Sequence, residues 1–191
     1  DRPVIANVDI ALIVTSTKKP NLDLNLLDKL NSVITFNDIE PVICFTKLDL
    51  LNPVEAENIA NLKKYYEMIG IECVYNTDTA EIKRLIANKL VVLAGQTGAG
   101  KSSLLNYLDE ELDIKTDEIS EALGRGKHTT RHVELFEIYK GMVADTPGFS
   151  SFDLKNIPKE ELQNLFVDIK KYRDTCEYQD CSHINEKECN I

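Results

Sequence analysis

Gly95-Gln96-Thr97-Gly98-Ala99-Gly100-Lys101-Ser102 matches the pattern G-x-x-x-x-G-K-[ST] in full. Glycines at these spacings let the backbone approach a phosphate closely, and successive N–H groups then cradle it at a helix N-terminus. Lys101 is placed to reach the β- and γ-phosphates of a bound nucleotide, and Ser102 to ligate Mg²⁺. Ser103, next along, is counted with the phosphate-binding residues. A second pattern, Asp145-Thr146-Pro147-Gly148, has the D-x-x-G form of a γ-phosphate sensor. Asp145 would hold Mg²⁺ through a water, and the Gly148 N–H would bond the γ-phosphate. A third, Thr46-Lys47-Leu48-Asp49, resembles the N-K-x-D guanine motif. A carboxylate at Asp49 accepts from both N1–H and N2–H of guanine, a donor pair adenine lacks, while the Lys47 stem can cover the base. Thr46 stands where Asn is usual. Its hydroxyl is shorter and carries one donor, so it is expected to be the weak point of the tether to neighbouring loops.

The segment Gly124-Arg125-Gly126-Lys127-His128-Thr129-Thr130-Arg131 lies between these phosphate motifs. Thr129 and Thr130 are both candidates for a second side-chain ligand to Mg²⁺. His128 is either a group that positions or deprotonates the attacking water or a surface histidine of a basic loop. Phe149 follows Gly148, where many GTPases carry a water-orienting Gln. Intrinsic hydrolysis is therefore expected to be slow unless His128 or a partner completes the site. Asn76-Thr77 occupies a place where a second base-contacting loop is expected. Lys101 and His128 form the candidate catalytic set.

Cys176-x4-Cys181-x-His183-x5-Cys189 offers three thiolates and an imidazole, the ligand set of a closed tetrahedral structural Zn²⁺ site. Disulfides fit less well in a protein handling cytosolic GTP. So short a segment cannot bury much core, and the metal is expected to supply its fold. Cys44 and Cys73 sit in apolar runs and read as small core residues.

These motifs need elements to hold them. Val8–Thr15, Pro41–Phe45, Ile71–Tyr75 and Leu90–Ala94 are short apolar runs that read as buried strands. Between them, Leu22–Phe36 carries a helical apolar face, Pro53–Ile69 is a helix capped by Asn52 with Pro53 at its first position, and Ala80–Leu85 starts another. A helix follows from about Lys101. His132–Tyr139 and Met142–Ala144 read as two further strands. Leu112–Thr130 is polar, without periodicity, and reads as a mobile loop. The end is a helix from about Pro158 to Tyr172 and then the cysteine cluster. Alternating apolar strands and helices imply a mainly parallel sheet covered on both faces. The base motif comes ahead of the phosphate loop, a circularly permuted order.

The chain has 191 residues, 32 acidic against 22 basic, for a net charge of −10. That argues against strong nonspecific nucleic-acid binding, which needs clustered Lys and Arg. No apolar run reaches the roughly 18 residues of a membrane span. The chain opens Asp1-Arg2-Pro3, without Met or a signal segment, so a piece of something longer or a processed form is expected.

Taken in order, TKLD, GQTGAGKSS, GRGKHTTR, DTPGFSSF and C-x4-C-x-H-x5-C resemble the RsgA/YjeQ family of circularly permuted GTPases, which act on the small ribosomal subunit. The resemblance covers nearly the whole chain. It implies GTP hydrolysis stimulated by that subunit in late assembly, a cytoplasmic location, and a role in hydrolysis for the switch histidine matched by His128. Family members carry an N-terminal RNA-binding OB-fold and a zinc module that continues into a further helix. The resemblance therefore implies a trimmed chain whose contacts with the subunit and its rRNA lie mainly in other regions. The expectation is an α/β fold: a circularly permuted P-loop GTPase domain over residues 1–155, followed by a small helical zinc-binding module over 156–191, as a monomer with one Mg²⁺ bound alongside GTP and one structural Zn²⁺. Three other readings compete with it. They are a GTP-dependent ribosome-docking clamp with negligible turnover, an ATPase or metabolic kinase, and a zinc-dependent RNA-binding module.

Overall fold

The computed structural model describes residues 6–109, 134–145 and 157–191. The first two of these stretches build one six-stranded sheet. Strand β1 (Ile10–Ser16) is buried at every position and lies at the centre, as a run with no polar alternation must. It pairs in parallel with β2 (Glu40–Thr46) on one side and β4 (Leu90–Ala94) on the other. Strand β3 (Glu72–Tyr75) adds to β2, and β6 (Gly141–Asp145) adds to β4, also in parallel. Only β5 (Glu134–Ile138) runs antiparallel, hairpinned onto β6 at the edge.

The strand order is β3-β2-β1-β4-β6-β5. Counted from β4, the strand that feeds the phosphate loop, with β1 to β3 placed after β6, it becomes 6-5-4-1-3-2. The permutation thus changes which ends are joined and leaves strand neighbours intact. The new join runs from β3 through helix α3 (Thr79–Ile86) into β4.

Both faces of the sheet are covered. Helices α3 and α4 (Lys101–Leu108) pack Ile82, Leu85, Leu104 and Leu105 against Leu12, Val14, Cys44 and Leu93. On the other face α1 (Leu24–Phe36) and α2 (Pro53–Met68) pack Leu27, Ile34, Ile59 and Tyr66 against Ile13, Ile43, Phe45 and Val92. Each such fully buried side chain contributes about 1.5–3 kcal/mol of transfer free energy. Cys44 and Cys73 belong to these two cores, and burial pushes both thiols up to about 12, where they are inert.

Local signals explain the helix starts. The Asn52 side chain accepts from Glu55 N at 2.9 Å while Glu55 accepts from Asn52 N at 2.9 Å, a capping box with Pro53 behind it. Asp23 caps α1 by accepting from Leu26 N. The expected strands and helices stand within about two residues of their sequence limits, the usual uncertainty of element ends. One expectation fails. The single helix over Pro158–Tyr172 is two helices, α5 (Lys159–Leu165) and α6 (Val167–Tyr172), separated by Phe166 in an extended conformation. The break lets the two halves face different partners. Leu162 and Leu165 of α5 pack with Ile157 against Val33 of α1, while Asp168 of α6 accepts a 2.8 Å hydrogen bond from the Tyr65 hydroxyl of α2. Among the described residues, no helix is long and apolar enough to cross a membrane. The expected loop over Leu112–Thr130 lies outside the described residues.

Candidate nucleotide site and metal centre

All five parallel strands end at one edge of the sheet, where open α/β folds bind ligands. The loop after β4 is the Gly95–Ser102 motif, and the loop after β2 is Thr46–Asp49. Gly95 adopts φ +126°, and a Cβ there would lie 2.1 Å from the Val14 carbonyl oxygen of β1. No side chain fits, so the glycine is required by the close packing of loop on strand. Gly100 turns the chain into α4 with φ +101°, and a Cβ on it would stand 3.7 Å from Thr46 Oγ1. The phosphate loop and the base loop therefore touch.

The contact is a bonded one. Thr46 Oγ1 donates to Ala99 O at 2.6 Å from a side chain that is only 3% exposed. The hydroxyl expected to be the weak point of the tether thus spends its one donor on the phosphate loop. Threonine is shorter than asparagine, but the phosphate loop lies close enough for the hydroxyl to reach, and burial protects the bond from water. Lys47 adds a second tie, donating from Nζ to Gly98 O at 2.7 Å and also to Lys19 O. Lys47 itself is left-handed, with φ 61°, and opens a 3-10 turn over Leu48–Leu50. Asp49 sits in that turn and is exposed at the site edge.

Lys101 donates from Nζ to the carbonyls of Gly95 at 2.8 Å and Gln96 at 3.0 Å, which holds its charge over the loop. Ser102 is 8% exposed in the first turn of α4, and Ser103 beside it is exposed. Thr97 and Gly98 form the exposed tip of the loop. Asn76 and Thr77 form a turn at the end of β3, at the same edge, with Asn76 N donating to Phe45 O at 3.0 Å. Asp145 closes β6 in register with Leu93, the penultimate residue of the strand that feeds the phosphate loop. His128, Thr129, Thr130 and Gly148 lie outside the described residues.

Sequence reasoning missed the support given by the loop after β1. Thr17 Oγ1 donates to Thr46 O at 2.8 Å, and Lys18 Nζ pairs with the Glu55 carboxylate at 2.8 Å. The Lys18 ammonium, aided by the Asn52 N–H, holds the Glu55 carboxyl below its usual range. No local motif announces these residues, because their partners lie on β2 and α2.

The second centre is the cysteine cluster. The donor atoms of Cys176, Cys181, His183 and Cys189 all lie within 4.8 Å of one another. His183 Nδ1 is 3.6 Å from both Cys176 Sγ and Cys189 Sγ. Tetrahedral Zn²⁺ with Zn–S of about 2.3 Å and Zn–N of about 2.0 Å separates its donors by roughly 3.5–3.8 Å, so the residues fit that ion. Nδ1 is turned to the cluster and Nε2 faces Gln163 Oε1 at 3.3 Å, so that with a metal held at Nδ1 the Nε2 proton would donate to that oxygen, an orienting contact from α5. Asn190 N donates to Cys176 Sγ at 3.4 Å. Glu186 organises the ligand loop by accepting from the Ser182 hydroxyl and from the Ser182, Ile184 and Asn185 backbone N–H groups, and the Ser182 hydroxyl, followed by the Ser182 and Ile184 N–H groups, holds its carboxyl well below the ordinary range. Gln163 and Glu186 carry no metal-ligand signature and were invisible in the sequence.

A model of the RsgA GTPase family matches residues 1–155. This chain belongs to the RsgA GTPase family. The small ribosomal subunit biogenesis GTPase RsgA 2 of Listeria monocytogenes is 48% identical over 193 residues, a match covering 100% of this chain and 66% of that protein. The RsgA of Enterococcus faecalis is 43% identical and is covered to 65%. The chain thus spans about two thirds of the length of these RsgA relatives. Among solved structures, YloQ, described as a circularly permuted GTPase, superposes with a TM-score of 0.75 at 35% identity over 96% of this chain and 59% of its own. YjeQ from Thermotoga maritima gives 0.77 at 30% identity, over 97% and 63%. The permuted order read from TKLD and GQTGAGKS agrees with the description of YloQ as a circularly permuted GTPase.

Proposed function

We propose that this chain binds and hydrolyses GTP and acts, as its relatives' names state for them, in biogenesis of the small ribosomal subunit. The observation that carries the reading is the buried 2.6 Å bond from Thr46 to Ala99, which holds base loop and phosphate loop together as one nucleotide site. In this reading Gly95 to Ser103 and Lys101 hold the phosphates, Thr46, Lys47 and Asp49 hold guanine, and Asn76-Thr77 flanks the base. Gly148 senses the γ-phosphate. Residues 1–155 form the GTPase domain and 156–191 the zinc-binding module. The protein works in the cytoplasm as a monomer, and its rRNA contacts lie largely in other regions.

Chemistry at the site is in-line attack of water on the γ-phosphorus. The Lys101 charge stabilises the phosphoryl oxygens as negative charge shifts onto them. His128 positions the water. A bound Mg²⁺ would supply neutralisation of the phosphate charge. Ser102, Asp145 and one of Thr129 and Thr130 would hold it, and these are the hard oxygen donors that ion requires. The Cys176, Cys181, His183 and Cys189 set would hold one structural Zn²⁺ with no open position.

GTP turnover with and without small subunits tests the reading. Hydrolysis stimulated by the subunit is expected. His128→Ala is expected to lower the stimulated rate by about 10²-fold or more with GDP affinity unchanged. Phe149, which cannot orient water, favours the second reading of a docking clamp. Absence of stimulated turnover in the full-length protein would establish that reading instead. Asp49→Asn is expected to cost guanine affinity at least about tenfold by removing a charged acceptor from two hydrogen bonds. ATP competing as well as GTP before mutation would overturn the guanine assignment.

A further inference from the structure

We infer that Thr17, which belongs to no nucleotide-binding motif, is a positioning residue for guanine recognition and acts by setting the conformation of the Thr46–Asp49 loop. The inference rests on the guanine-nucleotide reading above and names a further residue on which that site depends.

Thr17 is the first residue beyond β1 and is 8% exposed. Both of its donors go to the base loop. Its backbone N–H donates to Thr46 O at 3.1 Å. Its hydroxyl proton is shared between Thr46 O at 2.8 Å and Lys47 O at 3.2 Å. The Lys47 carbonyl is the pivot of the loop. It follows a left-handed residue, φ 61° and ψ 35°, a conformation that side-chain-bearing residues adopt only when held. The same carbonyl accepts from Leu50 N at 3.2 Å, closing the 3-10 turn that carries Asp49. Thr17 thus grips the pivot from β1, while Leu50 grips it from within the turn.

The remaining ties on Lys47 run through its own ammonium to Gly98 O and Lys19 O. They hold the side chain and not the carbonyl. Without the Thr17 hydroxyl, the carbonyl keeps only its local turn bond, and Asp49 loses its fixed direction toward the base edge. The phosphate loop also has ties that do not pass through the base loop, the packing of Gly95 on Val14 and the Lys101 Nζ bonds to Gly95 O and Gln96 O. Loss of Thr17 should therefore weaken the base contribution to binding and spare the phosphate contribution.

Thr17→Val keeps the shape and removes the donor, and Thr17→Ser keeps the donor. Affinity for a fluorescent GDP is measured on both variants and the wild type, with competition by inorganic tripolyphosphate and by ATP, and with thermal unfolding as the control for folding. Thr17→Val is expected to weaken GDP about fivefold, the size of one hydrogen bond. Tripolyphosphate and ATP should keep their wild-type affinities, so that the guanine-over-adenine preference drops by the same factor. Thr17→Ser should stay within about twofold of wild type on the same scale. GDP binding unchanged in Thr17→Val overturns the inference, as does an equal loss of GDP and tripolyphosphate. A wild type that binds tripolyphosphate without preferring GDP overturns the guanine reading itself, and Thr17's role with it.

Discussion

Gly95 at the nucleotide edge and Asp28 within α1 show two opposite ways in which a single position bears on the fold. Gly95 is needed for space as well as for its backbone angles, since any Cβ would meet Val14 O at 2.1 Å. Gly95→Ala must push the phosphate loop off β1. A cost of about 2–4 kcal/mol in stability is expected, read as a lower unfolding temperature together with lost nucleotide binding. Asp28 presents the opposite case, a charge the fold would be better without. Burial is the largest influence on its carboxyl and raises its pKa. The Tyr66 hydroxyl at 2.8 Å opposes that rise, and the Asp168 charge adds to it. A carboxyl raised in the folded state favours folding at low pH, and that contribution is lost as pH climbs through the folded value. Asp28→Asn keeps an acceptor for Tyr66 and removes the charge. It should raise the unfolding temperature at pH 7, and the gain should shrink toward pH 4; a gain independent of pH would refute this account.

At the scale of elements, α2 joins the two centres. It starts directly after the base loop, where Asn52, Glu55 and Lys18 tie its first turn to the loop after β1. Near its end Tyr65 donates to Asp168 of α6, and that bond pushes the Tyr65 phenol up to about 12. The break at Phe166 is what brings Asp168 to α2 while Leu165 stays on α1. A double-mutant cycle of Tyr65→Phe with Asp168→Asn should return a coupling of about 0.5 kcal/mol, small because the pair is exposed. Zero coupling would mean that the apolar patch of Val33, Ile157 and Leu165 holds the module alone.

For the whole molecule, the permutation relocates the joints and keeps the sheet. Strand β6 ends at the nucleotide edge, and the described elements that follow it are α5, α6 and the cysteine cluster, none of them a strand of the sheet. Loss of the γ-phosphate is therefore expected to shift the C-terminal module against α1 and α2. Hydrogen exchange of residues 157–191 with GDP against a non-hydrolysable GTP analogue measures this, and identical protection would sink it. Chelation of the cysteine cluster should unfold residues 176–191, leave the sheet cooperative, and release one Zn²⁺ per chain, because the strand core shares no ligand with that cluster.

The sequence alone determined most of the architecture and pointed to both candidate centres. Its buried strands are continuous apolar runs, its helices carry local caps, and its chemistry lies in contiguous motifs such as GQTGAGKS and C-x4-C-x-H-x5-C, each legible within a few residues. Tertiary structure decided what depends on distance across the fold. Whether Thr46 could reach the phosphate loop turned on the spacing of the loops after β2 and β4, and the closeness of those loops brings its hydroxyl within 2.6 Å of Ala99 O. The break at Phe166 has no Pro or Gly to announce it and follows from two docking partners on different helices. Thr17, Gln163 and Glu186 owe their roles to groups brought near by folding, and a residue's type carries no record of such neighbours.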